Sequence, residues 1–158
     1  MALARQIAER IVALRTDNVP RAALDWSKVA VMDTLGCTLA GVTEDAPATL
    51  AQIIDVSATG GEALVLGGAS RASALDAALL NGVAAHVLDY DNTAANMGGH
   101  ISAVMVPALL AAAEAFDCGG ADVLLAHVAG YETGSQIGRA VHPFHTEAGW
   151  HPTSTLGV

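Results

Sequence analysis

Apolar residues recur at helical spacing along most of the chain, and polar residues gather in a few short breaks between them. Leu3, Ile7, Ile11 and Leu14 fall on one stripe, with Arg5, Glu9 and Arg10 mostly off it. That spacing predicts an amphipathic helix ending near Thr16-Asp17-Asn18. Pro20 suits the first turn of a second helix, through Trp26, Val29, Met32 and Leu35 to about Ala40, with Gly41 as its stop. Gly36 inside that helix costs about 1 kcal/mol relative to alanine, so a close helix contact is expected there. Residues 45–57 predict a third helix, and Thr59-Gly60-Gly61 a turn. Glu62 to Leu66 is a short apolar run before Gly67-Gly68; it suits an isolated strand and is too brief to establish a sheet.

Ser73 followed by Asp76 has the form of a capping box opening a helix through Leu79, Leu80 and Val83 to about Leu88. Asp89 to Gly99, rich in Asn, Asp, Thr and Gly, is the clearest loop in the chain. An apolar helix follows over about Ser102–Phe116, where Pro107 predicts a kink or the true first turn. Cys118-Gly119-Gly120 breaks it, and Asp122 opens a long helix through Leu125, Val128 and Ile137. Residues 142–158 read as loop except for the last few. There is no internal repeat and no alternating βαβ pattern. The fold class expected is all-α: one helical-bundle-like domain of about six helices.

Composition sharpens this picture. Hydrophobic residues make up 53% of 158 residues but aromatics only 4%, so the core is built from Ala, Leu, Val and Ile. At roughly 25 cal/mol per Å² of buried apolar surface, an Ala-rich core is weak for its size. Some apolar faces are therefore expected to be completed by further chain or by a second subunit. The formal net charge is −9, which disfavours nucleic acid and anionic membranes as partners. Lys28 is the only lysine, beside six arginines, so a polyanionic substrate finds few cations here. Cys37 and Cys118 form no CxxC and are expected to be reduced and mostly buried. The longest apolar stretch, Ile101 to Ala113, is shorter than the roughly 20 residues of a membrane span. No secretory signal is visible in the opening residues, and a soluble, cytoplasmic protein is expected.

Chemistry-bearing side chains concentrate in two segments. The first, His86-Val-Leu-Asp89-Tyr-Asp91-Asn92-Thr93 followed by Asn96-Met-Gly-Gly-His100, joins two apolar helices, where rigid elements can aim a loop. Asp89 suits a general base or a group that holds an imidazole in one tautomer, and His100 a proton carrier. Asp and Asn at a helix end also serve simply as caps and turn formers, and His86 reads best as a core or supporting histidine. The second segment is His142-Pro-Phe-His145 followed by Gly149-Trp-His151-Pro-Thr153-Ser-Thr155. His142 and His145 are expected to be exposed loop histidines, and His151 is the most site-like of the three. Three histidines in ten residues invite a metal, but HxxH in a proline-containing loop is a weak ligand pattern. No P-loop, G-x-S-x-G or GxGxxG occurs, and neither a cofactor nor a metal is expected.

The run ALDAALLNGVAAHVLDYDNTAANMGGHISAVMVPALLAAAEA resembles the most characteristic stretch of MmgE/PrpD proteins, a helix ending in AH-x-LD-x-DD, a loop, and a GGHPS-like segment before a Pro-containing helix. HVAGYETGSQIGRA is similar to the family's GYE helix, GWHPTSTLGV to its G-x-H-x-T-x-x-G segment, and VAVMDTLGCTLAG to its N-terminal helical motif. The resemblance implies the N-terminal part of a mostly helical, homodimeric enzyme, without the lid domain and returning C-terminal helices of the family. It implies metal-independent dehydration, decarboxylation or epimerisation of a small di- or tricarboxylate such as 2-methylcitrate or cis-aconitate. By position it implies Asp89, His100 and His151 as catalytic residues and Thr93 as substrate-binding, with Asn92 beside it. Asn92 stands where the family has a second aspartate, and Ile101 where it has proline. Two other readings stand alongside: a non-catalytic piece acting by association with itself or a complementary C-terminal chain, and a small metal-binding protein using His100, His142, His145 and His151.

Overall fold

The computed structural model describes residues 2–54, 56 and 60–157. The apolar stripe near the N-terminus forms α1 (Leu3–Val12), which ends before the expected Thr16-Asp17-Asn18, itself a single 3₁₀ turn. Pro20 caps α2 (Arg21–Gly41) from just outside its first turn. Two threonines inside α2 stay in the core because their hydroxyls bond back to the preceding turn. Thr34 Oγ1 donates to the Ala30 carbonyl at 2.8 Å and Thr38 Oγ1 to the Thr34 carbonyl at 2.7 Å. The third helix, α3, covers Asp45–Ile53; of the remainder expected for it, residues 55 and 57 lie outside the described residues.

The run after Gly61 does form a strand, and it finds a partner. β1 (Ala63–Leu64) pairs antiparallel with β2 (Arg71–Ala72), with Ala63 opposite Ala72. A buried amide fastens this small hairpin to the helix that follows: Asn81 Nδ2 donates to the Leu64 carbonyl and its Oδ1 accepts from the Leu66 N–H, each at 2.9 Å. That helix, α4 (Ala74–His86), starts as the sequence predicts. The Ser73 hydroxyl accepts the Asp76 N–H and donates to the Asp76 carboxylate.

Next come α5 (Ile101–Ala115) and α6 (Gly120–Val141). Pro107 lies inside α5, six residues past its start, and so does not mark its first turn. The segment expected to be mostly loop instead holds two short helices, α7 (Phe144–Glu147) and α8 (Pro152–Leu156). Among the described residues there are thus six helices of nine residues or more and one two-stranded hairpin, an all-α fold.

α4 and α5 share the most extensive interface, with α2 packed along α4 and α6 along α5. Small residues set these distances. At Gly41 of α2 a Cβ would collide with the Ala84 carbonyl oxygen of α4 and come within 2.8 Å of Val87 Cγ1. The close approach expected at Gly36 is absent: a Cβ there meets nothing within 4 Å, because that side of α2 faces outward. Trp26, Met32 and Leu39 of α2 are exposed too. Of the two free thiols, Cys37 is buried as expected but Cys118 is exposed, since its Cys-Gly-Gly break sits on the surface between α5 and α6. Among the described residues no helix is long and apolar enough to cross a membrane.

Candidate active site

The link from α4 to α5 is a tethered loop. It leaves α4 through a turn in which the Asp89 N–H meets the His86 carbonyl at 2.9 Å and Asp89 takes φ +54°, a conformation that Asp tolerates better than most residues. Farther on, Ala94 and Gly99 form an isolated bridge, and the Met97 and Gly98 N–H groups turn back onto the Ala94 carbonyl. Met97, fully buried between them, plugs the loop into a small cluster with Ala94 and Ile101, against Met105, Tyr131 and Leu156. Gly138 of α6 makes room, since a Cβ there would sit 2.5 Å from Met97 Cα.

At the centre of the site is a residue the sequence reading did not single out. The Asp91 side chain is completely buried, and both imidazoles of the first segment bear on it. His86 Nδ1 lies 2.9 Å from Asp91 Oδ1. His100 Nδ1 lies 3.1 Å from the Asp91 carbonyl oxygen and also 3.1 Å from Asp91 Oδ2. A carbonyl and a carboxylate only accept, so both Nδ1 atoms must carry hydrogen. His100 has a single Nδ1–H, aligned with the carbonyl, which leaves Oδ2 buried without a donor of its own. In the neutral state of either ring the base is therefore Nε2. His100 Nε2 faces Asp89 Oδ1 at 3.5 Å, and the Asp89 side chain is mostly exposed. The signal for Asp91 was its spacing, five residues after His86, which brings the loop back onto the last turn of α4.

His151 arrives from the far end of the chain. It sits at the N-terminal boundary of α8, with its ring centroid 6.3 Å from that of His86, while His86 and His100 are 4.6 Å apart. The junction is held by Thr153, a buried residue whose Oγ1 accepts the His100 N–H at 2.9 Å. Gly99 permits this approach, because a Cβ there would lie 2.9 Å from the Thr153 nitrogen. Asp89, His100 and His151 thus gather around His86 and Asp91.

The other expected site residues lie elsewhere on the loop. Asn92 is bonded to protein: its N–H and Nδ2 reach Asp33 Oδ2 at 3.1 and 2.8 Å, and its Oδ1 accepts from Ser102 Oγ at 2.8 Å. An aspartate in its place would set two carboxylates against each other, which accounts for an amide here. Thr93 is exposed and lines, with Asn92, an open apolar groove between α1, α2 and α6. The stripe Leu3, Ile7, Ile11 and Leu14 lines the same groove, as does buried His127, whose Nδ1 is 3.0 Å from Ser27 Oγ. Burial pushes His127 below its ordinary pKa.

His142 is exposed as expected, whereas His145 is half-buried, with its Nε2 on Thr155 Oγ1. The set His100, His142, His145 and His151 does not assemble. Among the described residues the one grouping close enough to share a metal ion is His86, Asp89 and His100, whose ligand atoms all lie within 4.8 Å of one another. Four of the seven cationic side chains, Arg5, Arg21, Lys28 and Arg71, are in ion pairs with carboxylates away from these histidines.

The chain is 29% identical to a cis-aconitate decarboxylase-like protein, oryM, of Aspergillus oryzae over 96% of its own length and 33% of that protein's. It is 25% identical to a cis-aconitate decarboxylase of Aspergillus terreus over 92% of the chain and 31% of the enzyme. It is 30% identical to the human cis-aconitate decarboxylase over 99% of the chain and 34% of the enzyme. The chain therefore spans about a third of the length of the curated relatives it matches. Residues 5–158 match the MmgE/PrpD N-terminal domain, and the chain belongs to the MmgE/PrpD family.

Proposed function

We propose that this domain supplies the proton-handling part of an active site for lyase or isomerase chemistry on a small di- or tricarboxylate, with cis-aconitate the first candidate. The observation that carries the proposal is the pair of imidazoles fixed through Nδ1 on buried Asp91, each presenting Nε2, with Asp89 in front of one and His151 beside the other. A carboxylate behind an imidazole fixes its tautomer and stabilises the cation formed when the ring takes a proton. In a dehydration, Nε2 removes a proton beside a substrate carboxylate and the hydroxyl leaves as water after protonation. In a decarboxylation, the C–C bond breaks, carbon dioxide departs, and the electron pair left on carbon takes a proton from an imidazolium.

His100 and His151 are the proton-transfer or charge-stabilising groups in this proposal, and Asp89 orients or holds the proton. Thr93 and Asn92, on the other side of the loop, reach substrate only from the groove side, and Asn92 acts mainly by pinning the loop to Asp33 and Ser102. Cations for the substrate's carboxylates come from chain beyond this domain, consistent with the absence of any Lys or Arg bonded to the histidine cluster among the described residues. The test is turnover of cis-aconitate and 2-methylcitrate by the domain completed with the rest of a family enzyme. His151→Ala is expected to cut turnover at least 100-fold with an unchanged unfolding curve; wild-type turnover would refute the role.

The exposed apolar face of α2, with Trp26, Val29, Met32 and Leu39 on it, supports a second reading: the chain acts by association with itself as a dimer or with a complementary chain that covers that face. Size-exclusion chromatography together with an assay of the chain alone separates the two. Robust turnover by the chain alone would overturn the second reading.

A further inference from the structure

We propose that His86, Asp89 and His100 form a binding site for a divalent ion of the zinc class, and that the ion inhibits the chemistry proposed above by occupying the imidazole lone pairs. The inhibition rests on that functional reading; the binding does not.

Three observations support the site. The ligand atoms lie within 4.8 Å of one another, whereas a tetrahedral ion with bonds of about 2.0–2.1 Å needs them about 3.4 Å apart. His100 Nε2 and Asp89 Oδ1 are already 3.5 Å apart, and the Asp89 side chain, 78% exposed, is free to adjust around an ion. The imidazoles are already arranged as metal ligands are: each is held through Nδ1 by Asp91, which leaves Nε2 as the donor atom. The supporting carboxylate is fully buried and one of its oxygens has no donor, so its negative charge favours a cation in front of the two rings. Two imidazoles and one carboxylate suit zinc, cobalt or nickel better than calcium or magnesium, and the fourth position goes to water.

Metal and proton compete for the same lone pairs, so affinity falls as the pH drops. The test is calorimetric titration of the purified chain with zinc chloride at pH 7.5 and 5.5. The expected result is one equivalent bound at pH 7.5, much weaker binding at 5.5, and at least a tenfold loss in Asp89→Asn and in His100→Ala. Asp91→Asn, which alters only the support, is expected to weaken binding 10- to 100-fold. A His142→Ala/His145→Ala double variant is expected to bind as wild type does. Because Asp89 is exposed and Asn also tolerates its positive φ, Asp89→Asn keeps the test open if His100→Ala fails to fold. No binding at millimolar zinc, or binding that survives Asp89→Asn and disappears in the double variant, overturns the site. Turnover intact without zinc binding removes this proposal and leaves the functional one; zinc binding without turnover does the reverse.

Discussion

Replacing Asp91 by asparagine keeps the size of a completely buried side chain and removes only its charge and one acceptor. The carboxylate accepts from His86 Nδ1 at 2.9 Å from Oδ1, while His100 Nδ1, bonded to the Asp91 backbone carbonyl, passes 3.1 Å from Oδ2, which has no donor of its own. An amide can offer its oxygen to His86, and its buried NH₂ then sits at the Oδ2 position without an acceptor. Turned the other way, it sets its NH₂ against the His86 N–H, so either orientation leaves a buried donor unsatisfied or changes the His86 tautomer. A hydrogen bond to a charged group contributes about 1.5–3 kcal/mol net, and burial prevents water from replacing it. Asp91→Asn is therefore expected to lower the stability of the domain by about 1.5–3 kcal/mol. Urea unfolding reads this as a lower midpoint with unchanged slope. Ring-nitrogen NMR adds a readout specific to the site: in the wild type the neutral forms of His86 and His100 both carry hydrogen on Nδ1, and in the variant the amide can also donate to His86 Nδ1, so the Nε2–H form of His86 becomes populated. Wild-type stability together with unchanged tautomers would refute the reasoning, because it would mean that neither ring depends on this carboxylate.

Gly41→Ala drives a methyl group into the Ala84 carbonyl and is expected to cost about 1–3 kcal/mol, since backbone has to move. Gly36→Ala enters open space and is expected to stabilise α2 by up to about 1 kcal/mol; paired thermal melts compare the two, and equal shifts would contradict the assigned α2–α4 contact. His127 is held below its ordinary value of 6.5 by burial. The unfolded chain therefore takes up a proton near that value while the folded one does not, and this part of the stability is complete above it and is lost as the pH falls through the folded value. His127→Gln is expected to flatten the fall in urea midpoint between pH 7.5 and 5.5, and an unchanged pH dependence would count against a neutral buried imidazole.

Most of the helices were legible because their signals are local. The Ser73–Asp76 cap, the Gly41 stop and the Asp122 start lie within a turn of the boundaries they set. The hairpin escaped because the two strands are two residues each and their stability comes from Asn81, a long-range partner invisible to periodicity. Gly36 misled because a glycine in a helix signals close contact only if it faces a neighbour, and rotational phase in α2 could not be read from a helix apolar nearly all round. Gly41, read only as a stop, makes that contact instead. In the candidate site, Asp89, His100 and His151 could be named from residue type and resemblance. Asp91 could not be ranked above Asp89 without burial, since two carboxylates two residues apart in a loop look alike until one of them is turned inward. Nor could Thr93 be separated from the histidines, because the loop's tethering by Met97 and Asn92 decides which residues face the groove.

The account stands on three stretches of chain, ending at His86, His100 and His151, sharing one site for a carboxylate substrate. Titrating the domain, completed with the rest of a family enzyme, with cis-aconitate while following its six histidine rings by NMR tests this most directly. The account predicts that the resonances of His86, His100 and His151 move together along one binding curve while those of His127, His142 and His145 stay in place. Movement confined to His127, on the side of the apolar groove, or a trio that stays silent at saturating substrate, would contradict it.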